Sequence, residues 1–356
     1  MSRKKIVKAL TLTLTIAIIC SIVAGCQSSG TSKASAKGKK IVIGLSNGNY
    51  GTDWRTEMLQ ATEEAFTEEK ANGIISKDSV LKVANAGTDI NQQIQNTRNM
   101  INQGVNVIIL EPNSATALNG VINQAKAAKI PVVAADQGVT DSYAVNVCDN
   151  HYNWGKTYAT WLAKALNGKG NIVMIGGLAG NPAAVDRQKG ADDVFKQYPG
   201  IKILQYEAGG WDEAKSQAVM SDLLAAYPKI DGVWVEDSMG LGVLKAFEAA
   251  NRPLPVMTGD PVVGYFKQWA TLKDKGFKTF VQTNPPAIVA SGLKIAVRLA
   301  LGQKMKPLTD NTYYYPISLT VDNSNFNQVY ATLQGKPDTY FLDEYLTDAK
   351  ADALFQ

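Results

Sequence analysis

From Lys40 onward the chain repeats one pattern: a short β-branched run, a polar turn, then an amphipathic stretch of about a dozen residues. IVIGLS leads through SNGNYGTD into WRTEMLQATEEAF, VLKVANA (80–86) into INQQIQNTRNMINQG, and VNVIIL (105–110) through EPNS into NSATALNGVINQAKAAK; IPVVAAD (130–136) and YAVNVCD (143–149) follow. Runs that are apolar throughout, rather than alternating, belong to strands buried on both faces. Helices between them force parallel pairing through right-handed crossovers. A second series repeats the pattern at 171–177, 202–208, 231–237, 255–260 and 279–284. The expectation is an α/β protein of two doubly wound parallel-sheet lobes, and 356 residues suit two such cores.

In this architecture ligands bind at the carboxyl ends of the strands. The loop after the first run is dense in Asn, Gly and Asp, which accept turn conformations, and it delivers Asn47, Asn49, Tyr50, Asp53 and Trp54 to that edge. Asp53 is placed to cap the following helix. Later strand ends supply Asp136, Glu236, Asp260 and Gln282.

The first 25 residues stand apart. Arg3, Lys4, Lys5 and Lys8 precede an apolar run from Ala9 to Ala24, shorter than a spanning helix needs, which marks an export signal. IVAGC resembles the bacterial lipoprotein box, which implies cleavage before Cys26 and a lipid on its sulfur; an ordinary secretory signal is the alternative. QSSGTSKASAKGKK then has the composition of a flexible tether. Residues 1–25 hold four of the 36 basic side chains and none of the 32 acidic ones, so the chain beyond them is formally neutral and lacks the basic excess of a nucleic-acid binder. Beyond Cys26 only Cys148 remains, with His151 the sole histidine. A disulfide within the chain, a Cys/His zinc site and a Ser-His-Asp triad are all disfavoured; neither metal nor cofactor is expected.

The order of motifs between Lys40 and Val321 resembles the ribose-type family of periplasmic sugar-binding proteins that serve ABC importers. The resemblance rests on the Asn-rich first loop, VNVIIL-EPNSATAL, IPVVAAD, CDN before a helix, GGLAGNPAA with RQKG, GWDEAKS, WVEDSMGLGVL and TGDP. It implies two lobes joined by three crossings, near Val147–Cys148, Gln282–Asn284 and Thr309–Asn311, that close on one small ligand. The implied units are a signal peptide (1–25), a tether (26–40), a first lobe (41–147 plus 283–310) and a second (148–282 plus 311–356). For the site it implies hydroxyl contacts from Asn47, Asn49 and Asp53, a stacking face from Trp54, an acid at Asp136, a forked guanidinium at Arg187, a second aromatic face at Trp211, and ring contacts from Glu236, Asp260 and Gln282. Gln137 stands where the family carries Arg. Asn150 bonds the ligand or turns the chain, and Trp54, Arg187, Asp260 and Gln282 have bland readings as core, surface, cap or turn residues. Acids with two tryptophans suit a neutral polyol better than a carboxylate or phosphate.

The implied function is a lipid-anchored, extracytoplasmic, monomeric protein that captures a monosaccharide and hands it to an ABC permease. The alternative is a sensor presenting a sugar or another small signal to a membrane receptor. An enzyme is disfavoured: GGLAG (176–180) lacks dinucleotide-loop spacing, and Cys148 with His151 reads as packing.

Overall fold

A computed structural model describes residues 38–316 and 319–356. The export signal, Cys26 and most of the tether lie outside the described residues. Among the described residues no helix is long and apolar enough to cross a membrane.

The first lobe carries β1 (Val42–Asn47), α1 (Asp53–Ala71), β2 (Val80–Asn85), α2 (Ile90–Asn102), β3 (Val107–Glu111), α3 (Asn119–Ala127), β4 (Val132–Asp136) and β5 (Val145–Cys148). The second carries α4 (His151–Ala165), β6 (Lys169–Gly176), α5 (Pro182–Phe195), β7 (Gly200–Ala208), α6 (Glu213–Ala226), β8 (Gly232–Val235), α7 (Gly240–Ala249), β9 (Val256–Thr258), α8 (Val263–Leu272) and β10 (Thr279–Gln282). The remaining elements are α9 (Ile288–Ala300), β11 (Thr312–Tyr314), β12 (Thr320–Val321), α10 (Phe326–Thr332) and α11 (Asp348–Asp352). Two six-stranded sheets result, ordered β11-β5-β4-β3-β1-β2 and β12-β10-β9-β8-β6-β7. All pairs are parallel except β10 with β12. The doubly wound α/β class expected from the sequence is borne out, and the central strands β3, β4, β5 and β8 are buried along their whole length.

Two boundaries differ from expectation. The third crossing was placed at Thr309–Asn311, yet Thr312–Tyr314 pair in parallel with Asn146–Cys148 and so stay in the first sheet. The chain reaches the second sheet only at β12, whose Val321 pairs with Val281. Nor does the tail beyond residue 311 stay with the second lobe. After α10 packs against α8, through Phe326 beside Trp269 at 4.5 Å, the last residues return to α9 of the first lobe. That return explains why α9 is buried from Ile288 to Arg298 and holds the buried cations Lys294 and Arg298: Glu68, Glu69, Asp348 and Asp352 surround them.

Close helix packing sets the second lobe's geometry. A Cβ on Gly155 of α4 would stand 2.0 Å from the carbonyl oxygen of Arg187 in α5, and one on Gly190 would stand 2.0 Å from the carbonyl oxygen of Tyr152. Only glycine lets the backbones approach so closely, and the approach positions Arg187. Gly155→Ala is therefore expected to separate the helices at a cost of about 1–3 kcal/mol and to weaken ligand binding. Gly120→Ala, in α3 where a Cβ meets open space, is expected to be neutral or stabilising by about 0.5–1 kcal/mol. Urea midpoints of the two variants check the contrast.

Candidate functional site

The carboxyl ends of the two sheets face each other across a narrow cavity. Asn49, Thr52, Trp54, Arg55, Asp136 and Gln137 line it from the first lobe. Ala183, Arg187, Trp211, Asp237 and Ser238 line it from the second, with Asn284 from the crossing after β10.

On the first-lobe side one buried carboxylate organises the wall. Glu111, the last residue of β3, takes the Arg55 guanidinium at 2.7 Å and accepts from Gln137 Nε2 at 2.9 Å and from the Gly48 amide at 3.2 Å. It thereby fixes the first loop and two cavity residues at once. Burial pushes its carboxyl up to about 7, against the pull of Arg55. Trp54 is held from the other end, its Nε1 donating to the Asn284 carbonyl oxygen at 2.9 Å.

On the second-lobe side Arg187 is the centre. It is 1% exposed, lies 4.2 Å over the Trp154 ring, and donates through Nη1 to Asp237 at 2.9 Å and Glu236 at 3.2 Å. Burial alone would lower its pKa; Asp237, Glu236 and Asp136 outweigh that and raise it. The Asn284 amide satisfies its neighbours when its oxygen accepts from Arg187 Nη2 at 2.9 Å and its nitrogen donates to Asp149 at 2.6 Å. Trp211 Nε1 donates to Glu236 Oε2 at 3.0 Å, so the carboxylate that pairs with the arginine also orients the indole. Burial lifts Glu236 to about 7. Burial and the neighbouring Arg187 push His151 down to about 3; it is neutral, with Nδ1 accepting from Arg187 Nε at 3.3 Å and Nε2 donating to the Asp136 carbonyl at 2.9 Å.

Three non-glycine cavity residues occupy the left-handed region: Asp136 at φ 68°, Trp211 at 56° and Ser238 at 65°. Each such residue costs free energy that the surrounding structure must offset, and strain of this kind concentrates at ligand sites. Asp136 is 4% exposed with its pKa raised by burial. One of its oxygens accepts from Gln137 at 3.3 Å; the other has no partner among the described residues.

Of the residues expected at the site, Asn49, Trp54, Asp136, Gln137, Arg187 and Trp211 line the cavity, and Glu236 stands directly behind two of them. Five do not line it. Asn47 is buried beneath the loop, donating to Asn85 Oδ1 at 2.9 Å. Asp53 is exposed on the outer side of α1, and Thr52 caps that helix by accepting from the Arg55 amide at 3.2 Å. Asn150 caps α4 by accepting from the Asn153 amide at 2.9 Å. Asp260 accepts from the amides of Met239, Gly240 and Leu241 at 3.1, 2.9 and 3.2 Å, capping α7 from the neighbouring strand end. Gln282 is buried in β10 away from the cavity. Conversely Thr52, Arg55, Asp237, Ser238 and Asn284 were not anticipated. Arg55 adjoins Trp54 in a helix that begins at the cavity, a signal available in the sequence; Asp237 follows Glu236 at the end of β8, while the capping of α7 falls to Asp260.

Two α/β lobes whose strand ends converge on a buried polar cavity define a cleft-binding protein. The chain belongs to the periplasmic binding protein family, whose domain model matches residues 43–304; the resemblance read from the sequence is borne out. It is 32% identical over 277 residues to the xylitol-binding protein of Mycolicibacterium smegmatis, covering 76% of each chain. It is 30% identical over 230 residues to the galactofuranose-binding protein of Escherichia coli, covering 62% of this chain and 70% of that one. An ABC transporter solute binding protein from Thermobispora bispora superposes with a TM-score of 0.79 at 25% identity, over 88% of this chain and 94% of the other. These relatives are binding proteins.

The raised carboxyls make a stability prediction. Glu111, Glu236 and Asp260 bind protons up to about pH 7 in the folded chain but release them near their ordinary values when unfolded. Between about pH 4.5 and 7 the native state thus holds more protons, so these groups stabilise it most at the acid end and lose that contribution as pH rises through 7. Calorimetry should give a higher Tm for the ligand-free protein at pH 5 than at pH 8; a flat or rising Tm would contradict the account.

Proposed function

We propose that the protein is an extracytoplasmic binding protein that captures a monosaccharide or related polyol between its two lobes and delivers it to an ABC import permease. The observation that carries this reading is the composition of the cavity. Two tryptophans, Trp54 and Trp211, line it together with the amides of Asn49, Gln137 and Asn284, the carboxylates of Asp136 and Asp237, and the guanidiniums of Arg55 and Arg187. Sugars meet such a lining with C–H faces and equatorial hydroxyls. Both arginines are already paired with buried carboxylates, through Glu111 and through Glu236 with Asp237. An anionic ligand would meet more negative than free positive charge, and a neutral polyhydroxyl ligand fits. The relatives named for xylitol and for galactofuranose point to the same class. No group in the cavity is assigned a chemical step.

In this reading, closure occurs about the chain crossings after β5, after β10 and between β11 and β12, because only the closed state lets both lobes touch the ligand. The lipoprotein box at Cys26 supports a lipid anchor on the outer face of the cell membrane as the protein's one link to the membrane, and the protein acts as a monomer in this reading. A sensor that presents the loaded protein to a membrane receptor would use the same cavity.

Two measurements test the reading. Isothermal titration with pentitols, pentoses and hexoses should find a ligand for the wild type. Trp211→Ala should then weaken it by roughly 10- to 100-fold, the scale of one lost stacking face with its buried area, with little change in Tm. Unchanged affinity would remove Trp211 from the site. Cys26→Ser should move the expressed protein from the membrane to the soluble fraction, and continued membrane partitioning would rule out the lipid anchor.

A further inference from the structure

The C-terminal nineteen residues belong to neither lobe alone. Residues 338–342 dock on the second lobe: the Gly264 amide donates to the Asp338 carbonyl at 2.9 Å, the Val263 amide to the Tyr340 carbonyl at 2.9 Å, and the Leu342 amide to the Pro261 carbonyl at 2.8 Å, with Phe341 bridged antiparallel to Val262. From Asp343 the chain docks on α9, the helix packed under the first sheet. Asp343 accepts from the Ala287 amide at 2.9 Å, and the Leu346 amide donates to Ser291 Oγ at 3.0 Å. Asp348 takes Lys294 at 2.6 Å, and Asp352 takes Arg298 Nε at 2.8 Å. The chain end then pairs with the segment after α9, where the Lys306 amide donates to the Leu354 carbonyl and the Gln356 amide to the Lys304 carbonyl, both at 2.9 Å. One further bond runs directly between the lobes: Glu57 of α1 accepts from the Phe341 amide at 2.9 Å.

We propose that residues 338–356 form a strap, a fourth covalent connection between the lobes that limits how far they open. The strap rests on the hinged reading of the two lobes. Leu342 is anchored to one lobe and Leu346 to the other, and four residues of fully extended chain span at most about 14 Å. While both anchors hold, the lobes cannot part by more than that along this edge. Both ends are buried, with Phe341 and Leu346 each 2% exposed and Phe355 6% exposed, so neither anchor is a loose surface contact. The strap lies beside α1, whose Trp54 bonds the crossing at Asn284, so it restrains motion next to the hinge and favours rotation about that edge over free splaying. A ligand-free protein held near closure loses less of its intrinsic affinity to unproductive open states.

The test lengthens the strap without removing either anchor. Eight Gly/Ser residues inserted between Leu342, the last residue docked on the second lobe, and Asp343, the first docked beside α9, leave both docked halves intact. Small-angle scattering of the ligand-free protein is expected to show a larger radius of gyration than the wild type, with the Tm preserved within a few degrees. A radius identical to the wild type at preserved Tm would overturn the proposal. If the insertion instead lowers the Tm substantially, a shorter insertion of four Gly/Ser residues at the same point gives the second reading: an increased radius supports the strap and an unchanged one rejects it. Since these readings are taken without ligand, they stand or fall separately from the identity of what the cavity binds. A titration that finds no sugar would defeat the proposed function and leave the strap measurement intact.

Discussion

Arg187 is a desolvated guanidinium, and the second lobe is arranged to keep it charged. Removing such a group from water is costly unless its donors are filled and its charge is paired. Glu236 and Asp237 supply the charge, Asn284 and His151 accept further hydrogen bonds, and the Trp154 ring covers one face. Each partner is itself fixed for another reason: Glu236 orients Trp211, Asn284 sits at a crossing between lobes and holds Trp54, and His151 fixes the strained Asp136 through its carbonyl. The two aromatic walls, the hinge and the first-lobe acid are thus coupled through one cation. The glycines at 155 and 190 follow from the same requirement, because they let α4 and α5 approach closely enough to seat it.

The first lobe repeats the principle with the signs exchanged. There a buried carboxylate, Glu111, is the hub, and Arg55, Gln137 and the first-loop amide are its spokes. Gln137 also bridges the cleft, accepting from Asn181 of the second lobe at 2.8 Å. With glutamine at this position, a neutral amide makes the crossing contact, and the cavity keeps its acid excess. That excess, distributed over carboxyls whose pKa values burial has raised, is the electrostatic character a ligand meets.

Much of this was legible in the sequence and some was not, for identifiable reasons. Apolar runs alternating with amphipathic ones fixed both sheets, since burial on two faces leaves a pattern that tertiary context seldom overrides. Trp54, Trp211 and Arg187 were legible because large or charged residues beside strand ends have few other places to go. Asp53, Asn150 and Asp260 misled because an acid or amide at a strand end suits a helix cap as well as a ligand, and only geometry separates the two. Arg55 and Asp237 escaped notice because their importance lies in partners distant in sequence, Glu111 and Arg187. The tail was opaque for another reason. It has no hydrophobic period, and its place is set by ion pairs to Lys294 and Arg298 that no local pattern announces.

The central claim is that the groups around Arg187 and Glu111 converge on one neutral polyhydroxylated ligand stacked between Trp54 and Trp211. Because both indoles line the cavity, intrinsic tryptophan fluorescence reports directly on occupancy. Titration with xylitol, furanose-forming pentoses and hexoses, and the corresponding uronic acids should give a saturable change for at least one neutral compound and none for the acids. Saturation by a uronate in preference to every neutral sugar would contradict the account, since it would mean that the paired arginines remain free to bind an anion.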